Sequence, residues 1–133
     1  MISKITKLLA LLLLISLPLA AIAAPQVTNI LNEPIPEKLD GSKHTVNEVR
    51  DAIARAARQR GWNVAPGKGN ELLASILVRG RHYAEVSITY TAKDYSINYR
   101  DSRELKYNAA RNTIHGNYNK WVLNLSRTIK SHL

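Results

Sequence analysis

The chain has 133 residues, with 19 Lys or Arg against 10 Asp or Glu, and its formal net charge at neutral pH is +9. This length is enough for one domain with one modest core. The sequence contains no cysteine, which excludes disulfide bonds and attachment of lipid to an N-terminal cysteine.

The first 23 residues have the pattern of an export signal. Lys4 and Lys7 form a positive n-region, an aliphatic run extends from Leu8 to Leu19, and Ala21-Ile22-Ala23 places small residues at the positions read by signal peptidase. An uncleaved membrane anchor is the alternative, but the run is shorter than the ~20 residues of a membrane span. We therefore predict cleavage after Ala23, no stable membrane span afterwards, and a location in the bacterial periplasm or, second, the medium.

Residues 24–44 follow as an extended, partly mobile lead-in. The segment contains few large apolar residues, and its turn-forming residues are Pro25, Pro34, Pro36 and Gly41. Ile30, Leu31 and Ile35 are the apolar residues that could attach part of it to the domain.

The first helix is predicted to begin at Thr45, because Thr45 and Glu48 have the spacing of a capping box. Gly61 and Trp62 follow where a Schellman motif places a glycine and an apolar residue. The apolar residues with helical spacing are Val46, Val49, Ile53, Ala56 and Ala57.

Four strands are predicted next, and the second and third are joined by the hairpin turn Arg79-Gly80-Arg81. Their bounds are Trp62 to Ala65, Leu72 to Arg79, His82 to Tyr90, and Tyr95 to Arg100. The third strand alternates, with Ala84, Val86, Ile88 and Tyr90 on the inward face. Residues 101–113 are polar and irregular.

The C-terminal segment 114–133 has the spacing of an amphipathic helix. Its apolar stripe is Ile114, Tyr118, Trp121, Val122, Leu125, Ile129 and Leu133. Lys120, Asn124, Arg127 and Lys130 fall outside the stripe. Residues 45–133 are therefore predicted to form a single α+β domain of order α-β-β-β-β-α. In it, the N- and C-terminal helices pack on one face of a four-stranded antiparallel meander sheet.

Several short motifs together resemble an uncharacterised family of small exported proteins and lipoproteins of proteobacteria. The matching residues are Arg60-Gly61-Trp62, the strand pair around 79–90, Tyr95-Ser96-Ile97-Asn98-Tyr99, Ser102, Leu105 to Tyr107, Ile114-His115, Tyr118-Asn119 and Trp121-Val122. The resemblance covers residues 46–129 and implies a small exported domain, but no activity. The chain departs from the lipoprotein members in lacking the lipidated cysteine.

No catalytic or metal-binding signature is present in the sequence. The histidines, His44, His82, His115 and His132, do not have the spacing of metal ligands, and there is no G-x-S-x-G nucleophile motif. We therefore predict a non-enzymatic binding or interaction module of the envelope, without cofactor or metal. The alternatives are an unrecognised envelope hydrolase and a protein that binds polyanions or nucleic acid through its basic surface.

The positive net charge favours an anionic partner. Without Lys4 and Lys7 the chain keeps 17 basic and 10 acidic residues, or +7. An envelope protein or an anionic envelope ligand is the expected partner, while nucleic acid is disfavoured because most tyrosines are assigned to the core or its edge. The alternative is that the charge serves only solubility. The candidate basic residues are Arg50, Arg55, Arg58, Arg79 and Arg81.

A second candidate site is the start of the last helix, where His115, Tyr118 and Asn119 lie close in sequence. A helix N-terminus has free backbone N–H groups and the positive end of the dipole. The same residues could instead hydrogen-bond the preceding loop, residues 101–113, and fix it to the helix.

Overall fold

The computed structural model describes residues 15–16 and 23–133, so the predicted n-region and most of the aliphatic run lie outside the described residues. The described chain is α+β, with a five-stranded antiparallel sheet of order β1-β5-β4-β3-β2 and two helices. The elements are β1 Ile30–Pro34, α1 Val46–Gln59, β2 Asn63–Pro66, β3 Glu71–Val78, β4 His82–Tyr90, β5 Asp94–Arg103 and α2 Gly116–Ser131.

Local sequence signals account for both ends of α1. Thr45 is the N-cap, and its hydroxyl accepts a hydrogen bond from the Glu48 backbone N–H at 3.1 Å. At the C-terminal end the Trp62 N–H donates to Ala57 O and the Gly61 N–H donates to Arg58 O. These two bonds define a Schellman motif, and Gly61 adopts the left-handed φ of +84° that it requires.

The sheet has one buried face, and both helices pack against it. On β4, Ala84, Val86 and Ile88 are fully buried while the residues between them are partly exposed, as the period of a strand requires. These side chains belong to the same core cluster as Ile53 of α1 and Leu125 of α2. The opposite face, here called the open sheet face, carries Leu73, Ser75, Leu77, Tyr83, Glu85 and Arg100.

The prediction of four strands was wrong, because β1 forms within the segment predicted to be a lead-in. It pairs with the outer edge of β5, with Ile30 opposite Ile97 and Pro34 opposite Asp94. Asn32 has a φ of +50° at an irregularity in the register, so the strand lacks regular alternation and is not recognisable from its own sequence. Its partner residues on β5 lie sixty or more positions away in the sequence.

The last strand also runs further than predicted. β5 extends to Arg103, which lies opposite Tyr83, and the register shifts between Glu85 and Val86. This bulge lets the polar end of β5 continue to pair with the first residues of β4. The C-terminal helix follows its predicted stripe, with five of the seven side chains buried and Trp121 and Leu133 half-buried.

Candidate functional site

The three candidate residues at the start of α2 have structural contacts. His115 is the N-cap of α2, and its ring Nδ1 accepts a hydrogen bond from the Asn117 backbone N–H at 3.1 Å. The backbone N–H of His115 donates to Leu105 O at 2.8 Å. Asn119 makes two longer-range bonds, accepting from the Thr28 N–H at 2.9 Å and donating to Gln26 O at 2.8 Å. The amide of Asn119 therefore joins the lead-in to the helix.

Tyr118, the third member, lies fully inside the core. Its ring packs edge-on against Tyr99 at 5.6 Å between centroids, and Tyr99 in turn stacks on Tyr107 at 4.3 Å. The Tyr118 hydroxyl is buried and has no hydrogen-bond partner among the described residues. Burial, with a smaller contribution from Tyr99, raises the pKa of Tyr118 well above its ordinary value. The hydroxyl is therefore neutral at physiological pH and is not placed to contact an external ligand.

The five candidate arginines do not share one surface. Arg50, Arg55 and Arg58 are exposed on α1, which covers the buried face of the sheet. Arg81 instead lines a shallow hollow with Leu77 and Tyr83, which belong to the open sheet face. Arg81 is therefore separated from the arginines of α1 by the sheet, and Arg79 lies next to Gly80 in the turn between β3 and β4 with a left-handed φ of +55°.

The structure adds residues of α2 to the arginines of α1. The two helices contact each other directly: Arg60 Nε donates to Thr128 Oγ1 at 2.7 Å, and His132 Nε2 lies 2.6 Å from Gln59 Oε1. Their exposed sides together form a surface that we call the basic helix face. Its members are Arg50, Arg55, Arg58, Lys120, Leu123, Arg127 and Lys130. The position of the α2 cations outside the apolar stripe was the sequence signal for them.

Charge is concentrated on this helical layer. The segments 46–60 and 116–131 hold seven basic and two acidic residues, which is five of the seven net positive charges in residues 23–133. Glu48 Oε2 forms an ion pair with Lys38 Nζ at 2.7 Å, and Asp51 Oδ1 lies 3.7 Å from a guanidinium nitrogen of Arg50. Within the described chain, Arg55, Arg58, Lys120 and Arg127 have no ion pair, so their charge is available to a partner.

One apolar side chain lies among these cations. Leu123 is 40% exposed on α2, where Lys120, Arg127 and Lys130 are its neighbours at helical spacings of three, four and seven residues. An exposed leucine taken singly is ordinary on a protein surface. Its position inside a cationic face gives that face both an electrostatic and an apolar contact point.

The open sheet face differs because its charges are largely matched. Glu85 accepts from Arg100 Nε at 2.9 Å and from the Tyr83 hydroxyl at 3.0 Å. The Arg103 guanidinium lies over the Tyr83 ring, 4.3 Å from its centroid. Ser87 donates to Glu71 at 2.6 Å, and this bond lowers the pKa of the Glu71 carboxyl. Internal pairing leaves this face with less unbalanced charge than the basic helix face.

Residues 15–16 and 23–133 contain no group of three or more His, Cys, Asp or Glu side chains that could hold a metal ion. None of the helices in this part of the chain has the length and apolar character of a membrane span. Comparison with known proteins gives no match to a family model, to a curated protein or to a solved structure. The resemblance to exported proteobacterial proteins therefore stays a prediction.

Proposed function

We propose that this protein is a non-enzymatic binding module of the bacterial envelope that docks on an anionic surface through the basic helix face. The observation that carries the proposal is the segregation of charge: the two helices hold five of the seven net charges, and four of their cations have no ion pair in the described chain. Such a face attracts phosphate-rich surfaces from solution.

The exposed Leu123 favours a lipid surface over a nucleic acid. A membrane offers anionic headgroups beside an apolar boundary, and an exposed leucine flanked by Lys and Arg can contact both. The phosphate backbone of a nucleic acid can pair with the Lys and Arg side chains, but it provides no apolar surface for Leu123. The ligand that fits the whole face is therefore a layer of anionic lipid, with the phosphates contacting Arg55, Arg58, Lys120 and Arg127.

The strength of such docking follows from the number of free cations. Each Lys or Arg near an anionic leaflet contributes about 1 kcal/mol at moderate salt, so four contribute about 4 kcal/mol. Partial burial of Leu123 adds roughly 1 kcal/mol. The sum, about 5 kcal/mol, corresponds to a dissociation constant on the order of 10⁻⁴ M, which describes a reversible peripheral contact.

The envelope location depends on the predicted export signal. Protein recovered from the periplasm should begin at Ala24 when its N-terminus is sequenced, as cleavage after Ala23 requires. A product that keeps Met1 and sediments with membranes would contradict cleavage and release.

Vesicle flotation tests the docking surface. The protein should float with phosphatidylcholine vesicles that contain phosphatidylglycerol and stay behind with phosphatidylcholine alone, and added salt should release it. Reversing Arg55 and Arg127 to Glu should weaken flotation about tenfold or more. Reversing Lys68 and Arg81 to Glu is the matched control, because it changes the net charge equally but alters the open sheet face.

A second variant separates lipid from other polyanions. Leu123→Ser should weaken binding to anionic vesicles while leaving any binding to duplex DNA unchanged. Equal loss with the two double reversals, or flotation that ignores salt, would refute docking through the basic helix face. Binding to DNA but not to vesicles would refute the assignment of a lipid surface.

A further inference from the structure

A cavity of about 310 Å³ lies where the connection from β1 to α1 meets the turn between β4 and β5. Ile35, Pro36 and Ala92 supply apolar walls, and Lys43, His44 and Lys93 supply the basic groups. The two chain segments are fixed to each other, because the Ile35 N–H donates to Lys93 O at 2.8 Å. This backbone hydrogen bond therefore fixes the two segments that form the cavity wall.

His44 is the unusual group in this cavity. It is 8% exposed, its Nδ1 lies 3.4 Å from Glu48 Oε2, and its Nε2 has no hydrogen-bond partner in the described chain. His82 and His132 each have a close partner, Glu104 O at 2.8 Å and Gln59 Oε1 at 2.6 Å. The ring of His44 forms part of the cavity wall, while its Nε2 is closed off from solvent.

The charges around the cavity favour an anion. Lys43 and Lys93 are both exposed and have no ion pair among the described residues. Glu48, which faces His44, is already occupied by Lys38 at 2.7 Å. Helix α1 starts two residues after His44, so the positive end of its dipole adds to the same potential. Glu37 is the one acidic residue in the cavity lining.

We infer that this cavity binds a small amphipathic anion, a carboxylate on a short apolar chain. In this arrangement the carboxylate pairs with Lys43 and Lys93, while the chain lies along Ile35, Ala92 and the ring of His44. The cavity volume of about 310 Å³ is at the lower end of the range for small-molecule sites, which suits a small ligand such as octanoate. The site is separate from the basic helix face and does not depend on its function.

NMR titration of the histidine rings with octanoate tests the site. The His44 ring nitrogens and Cε1–H should shift with saturation, while His82 and His132 stay in place. Octanol and octylammonium are the matched probes for the carboxylate, and each should bind at least about tenfold more weakly than octanoate. Absence of a saturable shift at His44, or equal affinity for octanoate and octanol, would overturn the inference.

Two variants test the individual contacts. Reversing Lys43 and Lys93 to Glu should weaken octanoate binding about tenfold or more, whereas reversing Lys68 and Arg81, which lie on other hollows, should not. His44→Phe keeps an aromatic ring in the cavity wall, so octanoate should still bind in preference to octanol, with the circular dichroism spectrum unchanged, because Lys43 and Lys93 supply that preference. Loss of that preference in His44→Phe would overturn the assignment of the carboxylate to the two lysines, and equal effects of the two reversals would overturn the site.

Discussion

Two buried tyrosines should respond in opposite ways to the same substitution. Tyr118 and Tyr95 are both almost inaccessible to solvent, at 0% and 1% exposure. The Tyr95 hydroxyl lies 2.7 Å from Ser126 Oγ and donates to Ser126 O at 3.2 Å, but the Tyr118 hydroxyl has no partner in the described chain. Replacement by Phe removes one oxygen atom in each case, so the effects differ only through the surroundings.

The magnitudes follow from the two environments. An unpaired buried polar group costs about 1–3 kcal/mol, so Tyr118→Phe should stabilise the protein by about 0.5–2 kcal/mol after allowance for the small void. Tyr95→Phe breaks its bonds to Ser126 and leaves the serine hydroxyl with one partner fewer. It should therefore destabilise the protein by about 1–3 kcal/mol.

Urea denaturation followed by circular dichroism measures both free energies of unfolding. Repeating the melts at alkaline pH gives a second readout, because burial raises the pKa of Tyr118 above its ordinary value of 10.0. The unfolded chain then loses the tyrosine proton first, so stability is retained below pH 10 and falls as pH rises further. Tyr118→Phe should lessen that fall. If Tyr118→Phe destabilises the protein as much as Tyr95→Phe does, the conclusion that the Tyr118 hydroxyl lacks a hydrogen-bond partner is wrong.

Two further substitutions test the helix phase and the lead-in. Leu125→Ala should lower the free energy of unfolding by roughly 2–5 kcal/mol in urea melts, because Leu125 is fully buried. Leu123→Ala should lower it far less, because the Leu123 side chain is 40% exposed. Equal losses at the two positions would contradict the phase of α2. Asn119→Ala should lower stability by about 1–3 kcal/mol because it removes both bonds to residues 26–28, whereas Asn124→Ala, on the same helix, should change it little. Unchanged thermal unfolding of Asn119→Ala would argue against this anchoring role.

The candidate site was only partly predictable from the sequence. The free cations of α1 and the position of Lys120 and Arg127 outside the stripe follow from helical spacing alone. The grouping of Arg81 with Arg55 was an assumption about tertiary structure, and the sheet lies between them. The cavity at His44 was not foreseen, because Ile35 and Ala92 are far apart in sequence and meet only through the pairing of two chain segments.

Local interactions explain what the sequence determined by itself. The capping hydroxyl of Thr45, the left-handed Gly61 and the alternation of β4 each depend on neighbours within a few residues, so they fix the helices, the inner strands and the α+β class. Tertiary structure alone decided the fifth strand and the partners of Asn119. β1 is short, irregular and mostly exposed, and it exists because β5 offers an unpaired edge. A strand with an irregular register and no fully buried side chain shows no alternation in its own sequence, because alternation arises from burial of one face.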